Sequence, residues 1–239
     1  MPSKRITFLR HSTTESNEAL SGQPWGTVNF RDQGLFDTRL SANGLNLVKE
    51  LNADLCKENQ DLLADVDDIE LIAVSPLRRC LETATIGLDK VLLNNEHHLA
   101  TKKEVCVLAR ERLYLAADEG RPRSVLQREY GHLYDFSSLP ENDEAWWYQP
   151  ETDANNEILY KEWRPKGEYL APGEPAQVFF DRMKALKVWL AAREESYILL
   201  VCHWGVIKAL TGESVANCAF VERELSELNS DDMIEQMEV

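Results

Sequence analysis

Two arginines and two histidines follow apolar segments that have the length and composition of buried β-strands. They are Arg10, His11, Arg79 and His203. A guanidinium group donates paired hydrogen bonds to phosphate oxygens, and a neutral imidazole is a usable nucleophile near neutral pH. Asn17 adds an amide donor close to His11 in the sequence. Together these residue types predict a pocket for a tetrahedral dianion such as a phosphoryl group.

Each of these residues alone has a structural explanation, because a histidine at a strand end is as often packed as it is reactive. Their shared position argues for chemistry. The carboxyl ends of parallel strands meet at one edge of a sheet, and ligands of α/β proteins bind outside that edge. We therefore expect the side chains of Arg10, His11, Arg79 and His203 to converge.

The segments between these residues predict an α/β fold, with a mostly parallel central sheet flanked by helices. Strands are expected at Ile6–Leu9, Ile69–Val74, Val105–Leu108 and Tyr197–Cys202. Helices are expected from the N-cap Ser41 to about Glu58, over Ser75–Leu88 and over Glu174–Glu194. The alternation of strand and helix predicts one domain across residues 1–239.

A region of about residues 112–175 interrupts this alternation with many Asp, Glu, Pro, Trp and Tyr residues and no clear period. It predicts an inserted helical or irregular lid, called the insert below. The large apolar rings of Trp146, Trp147 and Trp163 are expected to pack rather than to bind a ligand. The connection Glu18–Thr38 is expected to be functional, as long loops in compact domains usually are.

The net charge of −15, from 26 basic and 41 acidic residues, makes nucleic acids and anionic membranes poor partners. A small phosphorylated substrate is the expected partner, attracted by local arginine and histidine against the overall field. Acidic residues dominate a C-terminal tail of about residues 213–239. Its last part, Asn229–Val239, is expected to be disordered or weakly helical.

The five cysteines lack CxxC spacing, so they are expected to be small buried residues rather than zinc ligands or disulfide partners. They are Cys56, Cys80, Cys106, Cys202 and Cys218. The first residues, MPSKRITF, contain no apolar signal region, and no apolar run reaches the ~18 residues needed to span a bilayer. The expected location is the cytoplasm.

Four sequence motifs, in the same order, resemble those of the histidine phosphatase superfamily, also called phosphoglycerate mutase-like. The segment LRHSTTESN is similar to the family's opening RHGxTxxN, and DTRLSANG is similar to its D-x-x-L-[ST]-x-x-G. SPLRRCLETA is similar to S-x-L-x-R-A-x-x-T-A, and VCHWGVIKALTG to the final [SC]-H-G-G segment. VLARE stands where the family places its L-x-E acid.

The resemblance implies a role for each matching position, without a metal or a cofactor. His11 would take the phosphoryl group as a phosphohistidine, while Arg10, Arg79 and His203 would bind its oxygens. Asn17 would add a donor, and Glu111 would protonate the leaving oxygen and later activate water. Nearby carboxylates leave the identity of the acid open: Asp118, Glu119 and Glu129. Arg78 is expected to be a bystander.

The chain departs from the family at three positions that bear on substrate preference. Ser12 replaces the usual Gly, Thr13 stands where many members carry Glu, and Trp204 replaces a Gly after His203. In the insert, three arginines are either contacts for a second anionic group or part of a solvated face: Arg121, Arg123 and Arg128.

The expected activity is hydrolysis of a phosphate monoester. Phosphoglycerate mutases carry R-Y-Y-G soon after the acid, and this chain has RERLYLAADEGRPRS instead. Two alternatives stay open: mutase-type phosphoryl transfer, and a catalytically poor member that binds a phosphorylated ligand or protein partner.

Overall fold

A five-stranded sheet forms the centre of the computed structural model, which describes residues 4–56, 66–89, 100–152 and 166–236. The strands are β1 (Arg5–Arg10), β2 (Leu71–Val74), β3 (Lys102–Val105), β4 (Tyr197–Cys202) and β5 (Phe220–Glu224). Their order is β3-β2-β4-β1-β5, and only β5 is antiparallel to its neighbour. The predicted α/β class with a mostly parallel sheet is confirmed.

Helices cover both faces of this sheet. They are α1 (Glu15–Leu20), α2 (Ala42–Leu55), α3 (Arg78–Gly87), α4 (Arg123–Tyr130), α5 (Ala176–Ala192), α6 (Trp204–Thr211) and α7 (Asp231–Glu235). Alternate residues of β4 point to opposite faces. Leu199 packs with α2 and α3, whereas Leu200 packs with α5 and α6. Burial on both faces explains why β2 and β4 are continuous apolar runs.

Two strands lie elsewhere than the sequence predicts. The predicted strand Val105–Leu108 is wrong in its bounds, because β3 spans Lys102–Val105 and Val107–Ala109 form a 3-10 turn. As an edge strand of the sheet, next to β2, β3 tolerates polar side chains and shows no apolar run. Leu108 and Ala109 of the turn pack in the core cluster that contains α5, whereas Val107 packs against the cluster on the opposite face. β5 lies within the acidic C-terminal tail and was not expected.

The insert combines the short helix α4 with irregular chain. Trp146 is buried and donates from Nε1 to the carbonyl of Arg121 at 2.7 Å. Its ring meets that of Trp147 edge-on, with 5.4 Å between centroids. The predicted packing role of these two rings is confirmed, and Trp163 lies outside the described residues.

The connection 18–38 is fastened to the insert. The backbone of Asp32 donates to Glu168 at 2.9 Å, and Glu168 donates back to Phe30 at 3.0 Å. The Asp32 carboxylate accepts from the backbone of Ala116 at 2.9 Å. These bonds hold the long loop beside the residues that follow Glu111.

Helix α2 begins as predicted, because the Ser41 hydroxyl accepts from the backbone of Gly44 at 3.1 Å. Among the cysteines, Cys80, Cys106 and Cys202 are buried as expected. The expectation is wrong for Cys56, which follows the end of α2 and is exposed. No helix within the described ranges is long and apolar enough to cross a membrane.

Candidate active site

The predicted residues converge at the carboxyl edge of the sheet. His11 follows β1, His203 lies between β4 and α6, and Arg79 lies in the first turn of α3 beyond β2. The His11 and His203 rings are tilted by 59°, with 5.1 Å between their centroids. The exposed fraction is 5% for His11, 5% for Arg79 and 0% for His203. Three strand ends therefore deliver one buried cluster.

The hydrogen bonds of His11 leave one ring nitrogen with a lone pair. Its Nδ1 lies 2.7 Å from the carbonyl oxygen of Ser12, which can only accept, so Nδ1 carries the proton. Burial and the neighbouring Arg79 lower the pKa of His11 well below its usual value of 6.5. The backbone is held as well, because Asn217 Nδ2 donates to the His11 carbonyl at 2.8 Å. His11 is a neutral imidazole with a nucleophilic Nε2.

The hydrogen bonds of His203 select the opposite tautomer. Its Nδ1 accepts from Arg79 Nε at 3.3 Å, so its Nε2 carries the proton and donates to Ser75 Oγ at 2.7 Å. Burial, with the charge of Arg79, lowers the pKa of His203 well below 6.5. Ser75 was missed by sequence reasoning, although it opens the SPLRRC motif.

Arg79 is held by three different partners. Besides His203, it donates from Nη1 to the Ala117 carbonyl at 2.6 Å and from Nη2 to Asp118 Oδ1 at 2.8 Å. A guanidinium group has five N–H bonds, so two remain for a ligand. The insert therefore orients the arginine that α3 brings to the site.

Arg10 has an unsatisfied donor. Its Nη1 donates to the Val215 carbonyl at 2.6 Å, but its Nε is buried and has no hydrogen-bond partner in the described part of the chain. Leaving a charged buried donor unpaired costs at least ~1–3 kcal/mol. A ligand oxygen in the cluster would remove that cost.

Glu111 lies beside the cluster as the resemblance implies. Its carboxylate accepts from the backbone of Arg112 at 2.9 Å and from that of Gly205, in the first turn of α6, at 3.1 Å. Burial, followed by the charge of Asp118, raises the pKa of Glu111 above its usual 4.5. A carboxyl group with a raised pKa suits a proton donor.

The other candidate acids differ in their positions. Asp118 joins the cluster through Arg79. Glu119 is half-buried and shows no hydrogen bond to the cluster, although burial raises its pKa. Glu129 pairs with Arg39 at 2.7 Å instead. The geometry brings only Glu111 and Asp118, of these four carboxylates, to the cluster.

Asn17 makes its hydrogen bonds within α1. Its Oδ1 accepts from the Thr14 backbone at 3.1 Å, and its own backbone donates to Thr14 Oγ1 at 3.0 Å, forming a capping box. The structure shows no hydrogen bond from Asn17 to the four clustered residues. The T-x-x-N spacing is the signal that predicts this capping role.

Arg78 is clamped to a buried carboxylate. Asp37 accepts from the backbone of Arg78 at 2.9 Å and from its Nε at 3.2 Å. Burial raises the pKa of Asp37 to about 6. Arg78 therefore points to Asp37 and away from the cluster, which agrees with its expected bystander role.

The Ser12 hydroxyl forms a hydrogen bond to the backbone of α2. Its Oγ donates to the Gly44 carbonyl at 2.9 Å, and its backbone donates to Thr83 Oγ1 at 2.9 Å. Thr13 touches the same helix, since a Cβ added to Gly44 would lie 1.9 Å from the Thr13 carbonyl oxygen. The Ser12 hydroxyl and the Thr13 backbone thus join the loop after His11 to α2.

Trp204, the remaining departure, and the three insert arginines show no hydrogen bond to the cluster. Trp204 donates from its indole to Ser214 Oγ at 2.7 Å. Arg121 donates weakly to the Phe36 carbonyl at 3.4 Å, Arg123 donates to the Leu139 carbonyl at 2.9 Å, and Arg128 is exposed. No group of three or more His, Cys, Asp or Glu residues in the described ranges is arranged to hold a metal ion.

Comparisons with known proteins give structural matches only. No family model and no curated protein matches the chain. The ecdysone phosphate phosphatase from Bombix mori, solved with tungstate, is 15% identical, with a TM-score of 0.51 over 95% of this chain and 91% of that chain. The alpha-ribazole phosphatase from Shigella flexneri is 20% identical, with a TM-score of 0.49 over 91% and 89%.

A mycobacterial glucosyl-3-phosphoglycerate phosphatase is also 20% identical, with a TM-score of 0.47 over 92% of this chain and 89% of that chain. At such low sequence identities, the structural similarity to the Bombix mori phosphatase establishes the fold alone. The fold that the resemblance implies is therefore confirmed.

Proposed function

We propose that this chain is a histidine phosphatase, which hydrolyses a small phosphate monoester through a phosphohistidine on His11. The observation that carries the proposal is the lone pair of His11 Nε2 in a buried cluster that also holds the unsatisfied Nε of Arg10. A phosphoryl group satisfies both. It meets the nucleophile and supplies an oxygen acceptor for the orphan donor.

In the first step, His11 Nε2 attacks phosphorus and the bond from phosphorus to the ester oxygen breaks. Glu111 gives its proton to that oxygen, so the leaving group departs as an alcohol. Arg10 and Arg79 stabilise the charge that spreads over the phosphoryl oxygens in the transition state.

In the second step, the Glu111 carboxylate takes a proton from water as the water oxygen attacks phosphorus. The bond between phosphorus and His11 Nε2 breaks, which releases inorganic phosphate and regenerates both residues. The resemblance assigns His203 to the phosphoryl oxygens. Its nitrogens already bond Ser75 and Arg79, so direct binding requires the exchange of one of these hydrogen bonds.

A second candidate is a protein that binds a phosphorylated ligand without turnover. One observation favours it: both ring nitrogens of His203 already make hydrogen bonds, to Ser75 and Arg79, which withholds from the transition state a donor that the resemblance assigns to it. The two candidates share the pocket and differ in whether the bond to phosphorus breaks.

Hydrolysis of p-nitrophenyl phosphate by the wild type and His11→Ala tests the proposal. His132→Ala, which removes an exposed histidine of the insert, is the matched control. We expect turnover in the wild type and the control, and a loss on the order of 10⁴-fold or more in His11→Ala. Equal rates in all three proteins would overturn the phosphatase proposal, and phosphate binding without turnover would support the second candidate.

A further inference from the structure

Asp118 uses both carboxylate oxygens within the protein. Its Oδ1 accepts from Arg79 Nη2 at 2.8 Å, while its Oδ2 accepts from the backbones of Tyr114 at 3.2 Å and Leu115 at 3.0 Å. The side chain is buried, with 9% of the residue exposed. Asp118 thus ties a catalytic arginine rigidly to the main chain of the insert.

The residue before it reinforces the same attachment. The Ala117 carbonyl accepts from Arg79 Nη1 at 2.6 Å, and both residues belong to the 3-10 turn Ala116–Asp118. The two terminal nitrogens of Arg79 therefore donate to two consecutive residues, Ala117 and Asp118. α3 supplies the arginine, but the insert decides where its remaining N–H bonds point.

We propose that Asp118 is a positioning residue, through which the insert sets the orientation and the net charge of the phosphoryl-binding Arg79. This inference rests on the proposed function. Asp118 acts on the reaction through Arg79 and is not the proton donor. The proposal thereby separates Asp118 from Glu111, the other carboxylate at the cluster.

The charge of Asp118 has a second consequence for Glu111. Asp118 raises the pKa of Glu111 further than burial alone does. Removing the charge should therefore let Glu111 ionise at a lower pH. The basic limb of the activity profile would then move to lower pH, which a purely structural contact would not cause.

Asp118→Asn removes the negative charge and replaces one carboxylate oxygen by an amide nitrogen, which cannot accept. A single oxygen then has to accept the hydrogen bonds that two oxygens accept in the wild type, from Arg79 and from the backbones of Tyr114 and Leu115. We expect kcat/KM to fall about 10–100-fold, as for the loss of other residues that orient a functional group. At a pH below the basic limb, where Glu111 is protonated in both proteins, the loss should be equal for p-nitrophenyl phosphate and for an alkyl phosphate, because Arg79 acts on the phosphoryl group. A proton donor would instead be needed mainly for the alkyl leaving group.

Asp143→Asn is the matched control. The Asp143 carboxylate also accepts hydrogen bonds within the insert, from the backbone and hydroxyl of Ser124, but it is exposed. This variant should leave both substrates and the pH profile unchanged. Asp118→Glu keeps the charge but displaces it. It should weaken catalysis while leaving the basic limb near its wild-type position, and it replaces Asp118→Asn if that variant does not fold.

Binding of inorganic phosphate, measured by calorimetry, tests the route through Arg79. Asp118→Asn should weaken binding about 10-fold or more in the wild type but leave it nearly unchanged in an Arg79→Ala background. Additive losses in the double variant, or a loss confined to the alkyl phosphate, would overturn the proposal. This measurement needs no turnover, so absence of His11-dependent hydrolysis would contradict the proposed function alone.

Discussion

Two buried charge clusters lie on either side of Glu111, and they have opposite properties. The anchor cluster consists of Arg110, Glu174 and Arg182. Arg110 forms a bidentate pair with Glu174 at 2.7 and 2.8 Å, and Arg182 adds a bond at 3.1 Å. Burial raises the pKa of Glu174, but the charges of Arg182 and Arg110 outweigh burial and bring this pKa below its usual value.

The anion cluster consists of Arg10, His11, Arg79 and His203. Here Arg10 keeps an unsatisfied Nε, and burial lowers the pKa of both histidines. Similar residue types therefore serve two purposes. A saturated cluster of charges stabilises the fold, whereas an unsatisfied one marks the place where a ligand completes the hydrogen bonding.

The anchor cluster also holds Glu111, the proposed proton donor, in place. Arg110 and Arg182 both donate to the backbone carbonyl of Glu111 at 3.3 Å. The Glu111 side chain faces the other way, toward Gly205 at the start of α6. The anchor cluster thus stabilises the fold and the anion cluster is the proposed site of the chemistry, with Glu111 between them.

Glu174→Gln should break the anchor cluster most severely. It leaves two buried arginines without their shared counter-charge, which typically costs about 3–5 kcal/mol. The free energy of unfolding in urea measures the loss. Glu168→Gln is the control, because its pair with Arg31 at 3.1 Å is exposed and should contribute under ~1 kcal/mol. Similar small losses in both variants would contradict the structural role of the anchor cluster.

Arg10→Met should have the opposite signature. It keeps an apolar side chain of similar length but removes a transition-state donor, so turnover should fall about 10²–10³-fold. The free energy of unfolding should change by less than ~1 kcal/mol, because loss of the Nη1 bond to the Val215 carbonyl is offset by removal of the buried, unsatisfied Nε. Arg5→Met, at the other end of β1, should leave turnover unchanged. A stability loss without a loss of turnover would place Arg10 with the anchor residues.

The pH dependence of turnover should reflect the anion cluster. Because the pKa of His11 is lowered, His11 stays neutral below pH 6.5, where an ordinary imidazole is protonated. Because the pKa of Glu111 is raised, its active protonated form persists above pH 4.5 and is lost as the pH rises further. Activity should therefore be highest at mildly acidic pH.

Glu111→Gln tests the basic limb of that profile. Turnover of an alkyl phosphate, whose leaving oxygen needs a proton, should fall about 10²-fold, and the decline at rising pH should disappear. Binding of inorganic phosphate should be retained. An unchanged profile would transfer the role of acid to another carboxylate of the insert.

Ser12→Ala should have the smallest effect. It leaves the Gly44 carbonyl without its donor, which costs about 1 kcal/mol of unfolding free energy. Relative rates on a panel of phosphorylated metabolites should stay the same, because the Ser12 hydroxyl points to α2. A changed order of preference would return Ser12 to the role in substrate choice that its departure from the family suggests.

The anion cluster could be predicted largely from the sequence, because parallel strands bring their carboxyl ends together regardless of detail. The convergence of His11, Arg79 and His203 follows once the ends of three strands, β1, β2 and β4, are predicted correctly. The pairing of Asp118 with Arg79 was unpredictable, since it joins residues 39 positions apart through an irregular insert with no period. The anchor cluster was missed for the same reason, because Glu174 meets Arg110 over 64 positions.

The elements were predicted best where burial sets the pattern. β4 has its predicted bounds because all six of its residues are buried. β3 and β5 are edge strands whose half-polar residues leave no such pattern. The capping box of Thr14 and Asn17 could have been predicted from the T-x-x-N spacing alone, whereas the family resemblance implied that Asn17 binds the phosphoryl group.

The most direct test of the central claim is to trap the phosphohistidine. The wild type is mixed with a radiolabelled phosphate ester, quenched in base and mapped by peptide. The account predicts a base-stable, acid-labile label on His11 that is absent from His11→Ala and present in His132→Ala. Turnover without a label on His11, or a label on another residue, would contradict it.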